Sequence, residues 1–175
     1  MKNFFTTKRI VRAAIIAALY VALSAVFTPF AFGPFQLRPA EALCILPLFF
    51  PEAIPALFIG CILSNLASPF LFYDVVFGGL ATLLAALNTY VFGSMIKKRL
   101  AKLLVGGIFP VLFNGLIIPF VIVFLCGEGT DSSIWTLYFS YMGSIAFTEA
   151  IWVYGLGTPI YFTIHRLQKN GKFLN

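Results

Sequence analysis

Apolar residues occupy this chain in long runs separated by short polar breaks, and the breaks carry proline or glycine: Pro29 and Pro34, Pro51 and Pro55, Pro69, Gly106 and Gly107, Gly127 and Gly129. The runs predict helices over about 10–28, 38–50, 53–67, 74–96, 104–125 and 135–164. Outer loops are expected at 29–37, 68–73 and 126–134. Runs of this length and character match the hydrocarbon core of a bilayer, so the fold class expected is an all-α membrane protein with six transmembrane helices. The second and third helices are short for the task, because 13 residues reach only about 20 Å against roughly 30 Å of hydrocarbon. They are expected to be short, tilted, or extended by apolar loop residues around 30–35.

Composition supports that solvent. The chain is 61% hydrophobic and 10% charged, with 21 Phe among 175 residues, more apolar surface than a soluble domain of this size could hide. We expect one integral membrane domain over 1–175, with no internal repeat and no separate soluble part.

Ten of the twelve basic residues fall in three clusters: Lys8, Arg9 and Arg12; Lys97, Lys98, Arg99 and Lys102; Arg166, Lys169 and Lys172. Short loops rich in Lys and Arg stay on the cytoplasmic side, which predicts both termini and the 97–102 loop inside, hence an even number of spans. The net charge of +6 therefore reports topology. Nucleic acid is not an expected partner, for no basic and aromatic patch stands outside the lipid. The first run follows basic residues as a signal peptide would, but it lacks an A-x-A type cleavage site and leads into further spans, so it is read as retained. Cys44, Cys61 and Cys126 are odd in number and widely spaced, and are expected to pack as small hydrophobes.

The few polar residues inside the runs carry the candidate chemistry. Glu149 lies in the run 134–164, where a carboxylate costs roughly 2.5–3.5 kcal/mol and so calls for a partner, a substrate or a proton. Tyr138, Tyr141 or Met142, Ile145 and Trp152 recur at helical spacing on its side, and aromatic faces beside a carboxylate suit a flat heterocycle. The competing role is a carboxyl paired to Arg38 or buried neutral. Arg38-Pro39-Ala40-Glu41 opens the second helix, with Pro39 suited to its first position and Glu41 to its first turn. The pair serves either as an i,i+3 cap or as a polar anchor for a ligand. Asp74 is expected to cap the fourth helix. Asn65, Asn88 and Asn114 stand evenly between helix glue and site.

Ala14, Ala18 and Ala22, continued by Ala25, form a stripe of small residues along the first helix, with Ala13 and Ala17 alongside. Such a stripe admits a second helix at close range, either from this chain or from another protein. The sequence holds no G-x-x-x-x-G-K-[ST] phosphate loop, no metal-ligand cluster and no G-x-S-x-G, and its single His165 lies among basic residues at the end of the last helix. Catalysis is not expected. Uphill transport by such a chain would draw on an ion gradient or a separate ATPase.

The Ala14-x-x-x-Ala18 stripe, Phe35-Gln36-Leu37-Arg38-Pro39-Ala40-Glu41-Ala42-Leu43 and Thr148-Glu149-Ala150-Ile151-Trp152 resemble the QueT family, substrate-binding S components of energy-coupling factor (ECF) transporters. The likeness covers nearly the whole chain, and R-P-x-E is its most specific part. It implies a bundle like that of the S components, capturing a queuosine precursor, a 7-deazaguanine, from outside. It also implies docking of Ala14, Ala18 and Ala22 on the coupling subunit EcfT. Two ATP-binding subunits would complete the importer in the cell (cytoplasmic) membrane, so ATP is used by those partners and this chain needs no cofactor of its own.

A deazaguanine edge offers two N–H donors beside a carbonyl, so one carboxylate, Glu41 or Glu149, can take both donors. An aminomethyl tail would then use the other carboxylate or Asp74, Arg38 or Asn114 would donate to the carbonyl, and Tyr73, Tyr138 and Trp152 would stack. Loop 29–37 is expected to close over the base. The alternatives are an S component for another vitamin such as riboflavin or thiamin, a small ion-coupled carrier using Glu41 and Glu149 as a relay, and a purely structural membrane protein.

Overall fold

Helix forms wherever the apolar runs predict it. The computed structural model describes residues 6–32, 36–127 and 133–169, and among them there is no strand. α1 (Thr7–Ala31) is followed by a 3-10 helix (Pro39–Leu48) and α2 (Ala53–Asn65). α3 (Leu71–Tyr73) passes through a π turn (Asp74–Gly78) into α4 (Gly79–Met95). α5 (Arg99–Phe120) ends in a second π turn (Val121–Leu125), and α6 (Ile134–Ala150) joins α7 (Gly157–Lys169) through a third (Ile151–Leu156). These make six helical rods in the expected order. Pro34 and Gly129 of the predicted outer loops, and Lys172 of the basic tail, lie outside the described residues.

Three stretches, Thr7–Ala31, Leu71–Met95 and Arg99–Leu125, are each long and apolar enough to cross a membrane. Their outward faces remain apolar, with Ile15, Leu19, Leu84, Leu112 and Leu116 all exposed, as lipid-facing helices require.

The second rod differs from the α-helix expected over 38–50. All ten residues of Pro39–Leu48 are buried, and they wind as a 3-10 helix packed against α1, α2, α4, α5, α7 and the last π turn. Pro39 fills the first position and Pro47 lacks the N–H that would continue the ladder. At about 2 Å per residue the segment covers roughly 20 Å, more than an α-helix of equal length. Irregular helix is tolerated at membrane depth because protein, not lipid, surrounds it.

Other boundaries shift for local reasons. The fifth helix begins at Arg99 and not 104, since Arg, Lys and Leu in that stretch are good helix formers. The sixth is interrupted at Ile151–Leu156, before Pro159, which has no N–H for the Gly155 carbonyl. The Asp74 side chain does not cap the fourth helix: that rod begins a turn earlier, at Leu71, and the Asp74 carboxyl group accepts from the Ser68 hydroxyl instead.

Close approach of the rods rests on glycine. A Cβ at Gly60 of α2 would lie 3.0 Å from Tyr20 Cβ of α1, and one at Gly115 of α5 would lie 3.1 Å from Ala146 Cβ of α6. The first contact seats Ile16 and Tyr20 against Leu43, Leu57 and Cys61 in the main core cluster. α1 therefore turns one alanine stripe inward, Ala13 and Ala17, which pack on that core. Ala14, Ala18, Ala22 and Ala25 are exposed, so the stripe is not used in packing the chain against itself.

Candidate functional site

The far end of α1, the start of the 3-10 helix, the end of α2 and the start of α3 all come to one end of the bundle, and their polar residues meet there beside α5 and α6. Glu41 is fully buried. The Tyr20 hydroxyl of α1 donates to its Oε1, and the Cys44 thiol donates to its Oε2 at 3.0 Å. With three residues per turn, a 3-10 helix stacks positions 41 and 44 on one line, which aligns that thiol with the carboxyl group.

Glu149, at the end of α6, is also buried. Its Oε1 accepts from Asn114 Nδ2 of α5 at 2.7 Å, and its carboxyl group faces that of Glu41 closely enough for the two to interact. Arg38 does not form the i,i+3 pair with Glu41. Its backbone is outside the helix (φ −121°, ψ 79°), so the side chain turns toward α1 and α2 instead. There Nη2 donates to Asn65 Oδ1 and Nε to the Ala31 carbonyl, both at 3.3 Å. The guanidinium lies 5.4 Å from the Phe32 ring centroid and within electrostatic reach of Glu41 and Asp74.

Asn65 ties this end together. Its Nδ2 donates to the Asp74 carbonyl at 2.8 Å and to Cys61 Sγ at 3.3 Å. The Ser68 hydroxyl donates to Asp74 Oδ2. Three carboxyl groups, Glu41, Asp74 and Glu149, thus lie within electrostatic reach of one guanidinium. Inside a membrane protein that excess of acceptors marks a place where donors or positive charge are to be received.

Of the aromatic candidates, Trp152 stands in the π turn three residues after Glu149. Its ring meets Phe27 of α1 edge-on at 6.3 Å, and its indole Nε1 is buried with no hydrogen-bond partner among the described residues. A buried unpaired donor is unusual enough to ask for an acceptor. Tyr138 shares the helical face of Glu149 but lies eleven residues earlier, about 16 Å along the axis. Its hydroxyl donates to the Leu116 carbonyl at 3.3 Å, and its ring packs among Phe124, Trp135 and Phe139. Tyr73 packs edge-on against exposed Phe72. The structure therefore gathers Arg38, Glu41, Asp74, Asn114 and Glu149, sets Trp152 against Phe27 three residues beyond Glu149, places Tyr73 beside Asp74 in the chain, and puts Tyr138 among Phe124, Trp135 and Phe139.

Sequence reasoning missed Tyr20, Cys44 and Cys61 and undervalued Asn65. Tyr20 carried a usable signal, as the sole aromatic hydroxyl in the first predicted span. The cysteines did not, because their role depends on 3-10 stacking and on Asn65. Gln36 adds a further feature: it is buried with φ 36°, a left-handed conformation that non-glycine residues adopt at some cost. Asn88 Nδ2 donates to the Leu84 carbonyl of its own helix at 2.8 Å.

A cavity of about 10 Å³, the room of one water, borders the cluster between Tyr20, Thr28, Phe32, Leu37, Arg38 and Asn65. One substitution tests how tightly this end is set. A Cβ at Gly78 would lie 2.6 Å from Asn65 Nδ2, so Gly78→Ala is expected to push the amide off the Asp74 carbonyl. The loss should be about 1 kcal/mol, read as lower melting temperature in detergent; an unchanged melt would show that Asn65 repositions freely.

Comparison with known proteins gives the cluster its context. No solved structure matches this chain. The curated protein "Queuosine precursor transporter QueT" of Lactococcus lactis subsp. cremoris (strain MG1363) is 44% identical over 81 residues, which cover 44% of this chain and 46% of that protein. The aligned stretch thus spans about half the length of that relative. The family model described as QueT transporter matches residues 10–166, which include every residue of the polar cluster. The chain belongs to the QueT transporter family.

Proposed function

We propose that this protein is the substrate-specific S component of an ECF-type importer for a queuosine precursor, with six spans, both termini cytoplasmic, and residence in the cell membrane as one domain. The observation that carries the proposal is the Glu41–Glu149 pair, held by Tyr20, Cys44 and Asn114 in the interior. One carboxylate takes the ring N–H and exocyclic NH₂ of a 7-deazaguanine, and the orphan indole N–H of Trp152, or Arg38, donates to the carbonyl. The excess of carboxyl groups over guanidinium favours precursors with a cationic amine over the nitrile. Substrate entry requires Phe32 and Leu37 to move, because the space they border is far below the roughly 300 Å³ of a small-molecule pocket.

Energy comes from outside this chain: the exposed Ala14, Ala18 and Ala22 face docks on EcfT, and two ATP-binding subunits drive reorientation of the S component in the membrane. The test is calorimetry of the purified protein against queuine, its aminomethyl and nitrile precursors, guanine and riboflavin. Submicromolar binding of an amine-bearing deazaguanine is expected. Tightest binding of riboflavin, or of none of the panel, would defeat the assignment.

The facing carboxyl groups also favour a second reading, a proton- or sodium-coupled carrier with Glu41 and Glu149 as relay. Uptake into vesicles that needs ATP and ignores an ionophore excludes it.

A further inference from the structure

At the opposite end of the bundle from the carboxyl cluster, the 3-10 helix, the α4–α5 turn and α7 enclose a second cleft of about 320 Å³. Its wall is cationic, with Lys97, Arg99 and Lys102, and its floor is aromatic and aliphatic. On the floor Tyr161 stacks on His165 at 6.3 Å and meets Phe49 at 5.0 Å. The Tyr161 hydroxyl donates to the Arg99 carbonyl at 3.1 Å, which fixes the basic turn over the ring.

Among the described residues no acidic side chain lines this wall. Of the four described acids, Glu41, Asp74 and Glu149 belong to the carboxyl cluster, and Glu52 is already taken by Arg12 at 2.6 Å. Among the described residues, His165 Nε2 is buried without a hydrogen-bond partner. Burial, with Arg99, Lys102 and Lys169 nearby, holds its imidazole below the usual range, so the site gathers positive charge without an internal counterion. A group that answers every feature is small, anionic and rich in acceptors, and it is joined to an apolar body that can lie on Phe49 and Leu48.

We propose that this cleft binds an anionic phosphate group, and that its source is the headgroup of a membrane phospholipid such as phosphatidylglycerol. Lys97, Arg99 and Lys102 neutralise the phosphate, His165 Nε2 bonds one of its oxygens, and the glycerol and first acyl carbons cover the aromatic floor. The bound lipid would pin the α4–α5 turn to α7, two parts of the chain otherwise joined there by Tyr161.

Native mass spectrometry of the purified full chain, titrated with phosphatidylglycerol, phosphatidylcholine or inorganic phosphate, tests this. Phosphatidylglycerol should bind saturably and displace phosphatidylcholine. K97Q/K102Q should weaken it roughly thirtyfold, the effect of two basic side chains. His165→Phe, which keeps the stacked ring but no nitrogen, should weaken it roughly fivefold. Lys98→Gln removes equal charge from an exposed residue outside the cleft and should leave binding unaltered. Deazaguanine binding and the melting curve of each variant show that it is folded. Equal affinity of the wild type and K97Q/K102Q for phosphatidylglycerol, or an equal loss in Lys98→Gln, would overturn the site. Inorganic phosphate that binds as tightly as phosphatidylglycerol and displaces it would overturn the lipid as its source and assign the cleft to the free ion.

Discussion

Glu149→Gln is expected to weaken binding of the deazaguanine at least tenfold, about 1.4 kcal/mol, with the fold retained. The substitution is nearly isosteric, and the glutamine oxygen can still accept from Asn114 Nδ2, which now donates at 2.7 Å. What disappears is the second acceptor oxygen, since the glutamine presents an NH₂ in its place and cannot accept two donors at once. A buried donor left without its acceptor costs about 1–3 kcal/mol, and the middle of that range already exceeds the tenfold loss. Calorimetry on the purified variant reads it directly, and a dissociation constant equal to that of the wild type would remove Glu149 from the site.

Glu41 provides the comparison that makes the result specific. Both of its oxygens already have donors from within the chain, Tyr20 and Cys44, whereas Asn114 is the side-chain donor assigned to Glu149. Glu41 is thus embedded in the framework of α1 and the 3-10 helix, and Glu149 is better placed to exchange partners. If the protein binds a deazaguanine as proposed, Glu149 is the carboxyl group expected to read the base edge, with Glu41 the one expected to hold the framework around it.

Much of this was legible in the chain. Apolar run length and proline breaks located all six rods, because helices in lipid must satisfy their own backbone groups and so leave long uninterrupted signals. Glu149 and Arg38–Glu41 stood out because charge is rare at such positions. The details that failed depend on winding and on tertiary direction. Nothing in Pro39–Leu48 announces 3-10 geometry until the segment is seen to be wrapped on all sides, and that geometry is what joins Cys44 to Glu41. Arg38 and Glu41 have the spacing of an ion pair, yet a non-helical backbone at Arg38 sends the guanidinium to Asn65. Tyr138 has the phase of Glu149 but not its depth. Periodicity reports the face of a helix and says nothing of which level along it meets a neighbour.

The same distinction between face and partner governs the first helix, where replacing Ala14 and Ala18 with bulky residues is expected to abolish uptake and spare binding. α1 carries two alanine stripes a single residue apart. Ala13 and Ala17 pack on the core around Ile16, Tyr20 and Leu57, while Ala14 and Ala18 are exposed. Leucine or tryptophan at this exposed pair points away from the core, so the stability of the isolated protein should change by no more than about 0.5 kcal/mol. A partner helix seated on that stripe relies on close backbone approach, which large side chains prevent outright. The matched control is Ala13→Leu with Ala17→Leu, where overpacking should cost about 1–3 kcal/mol of stability and disturb Tyr20 and Glu41, so that binding and uptake fall together. Uptake by cells expressing the variants, beside calorimetry on the purified chains, separates the two outcomes. Transport that persists with Ala14 and Ala18 both enlarged would show that the coupling partner approaches by another face.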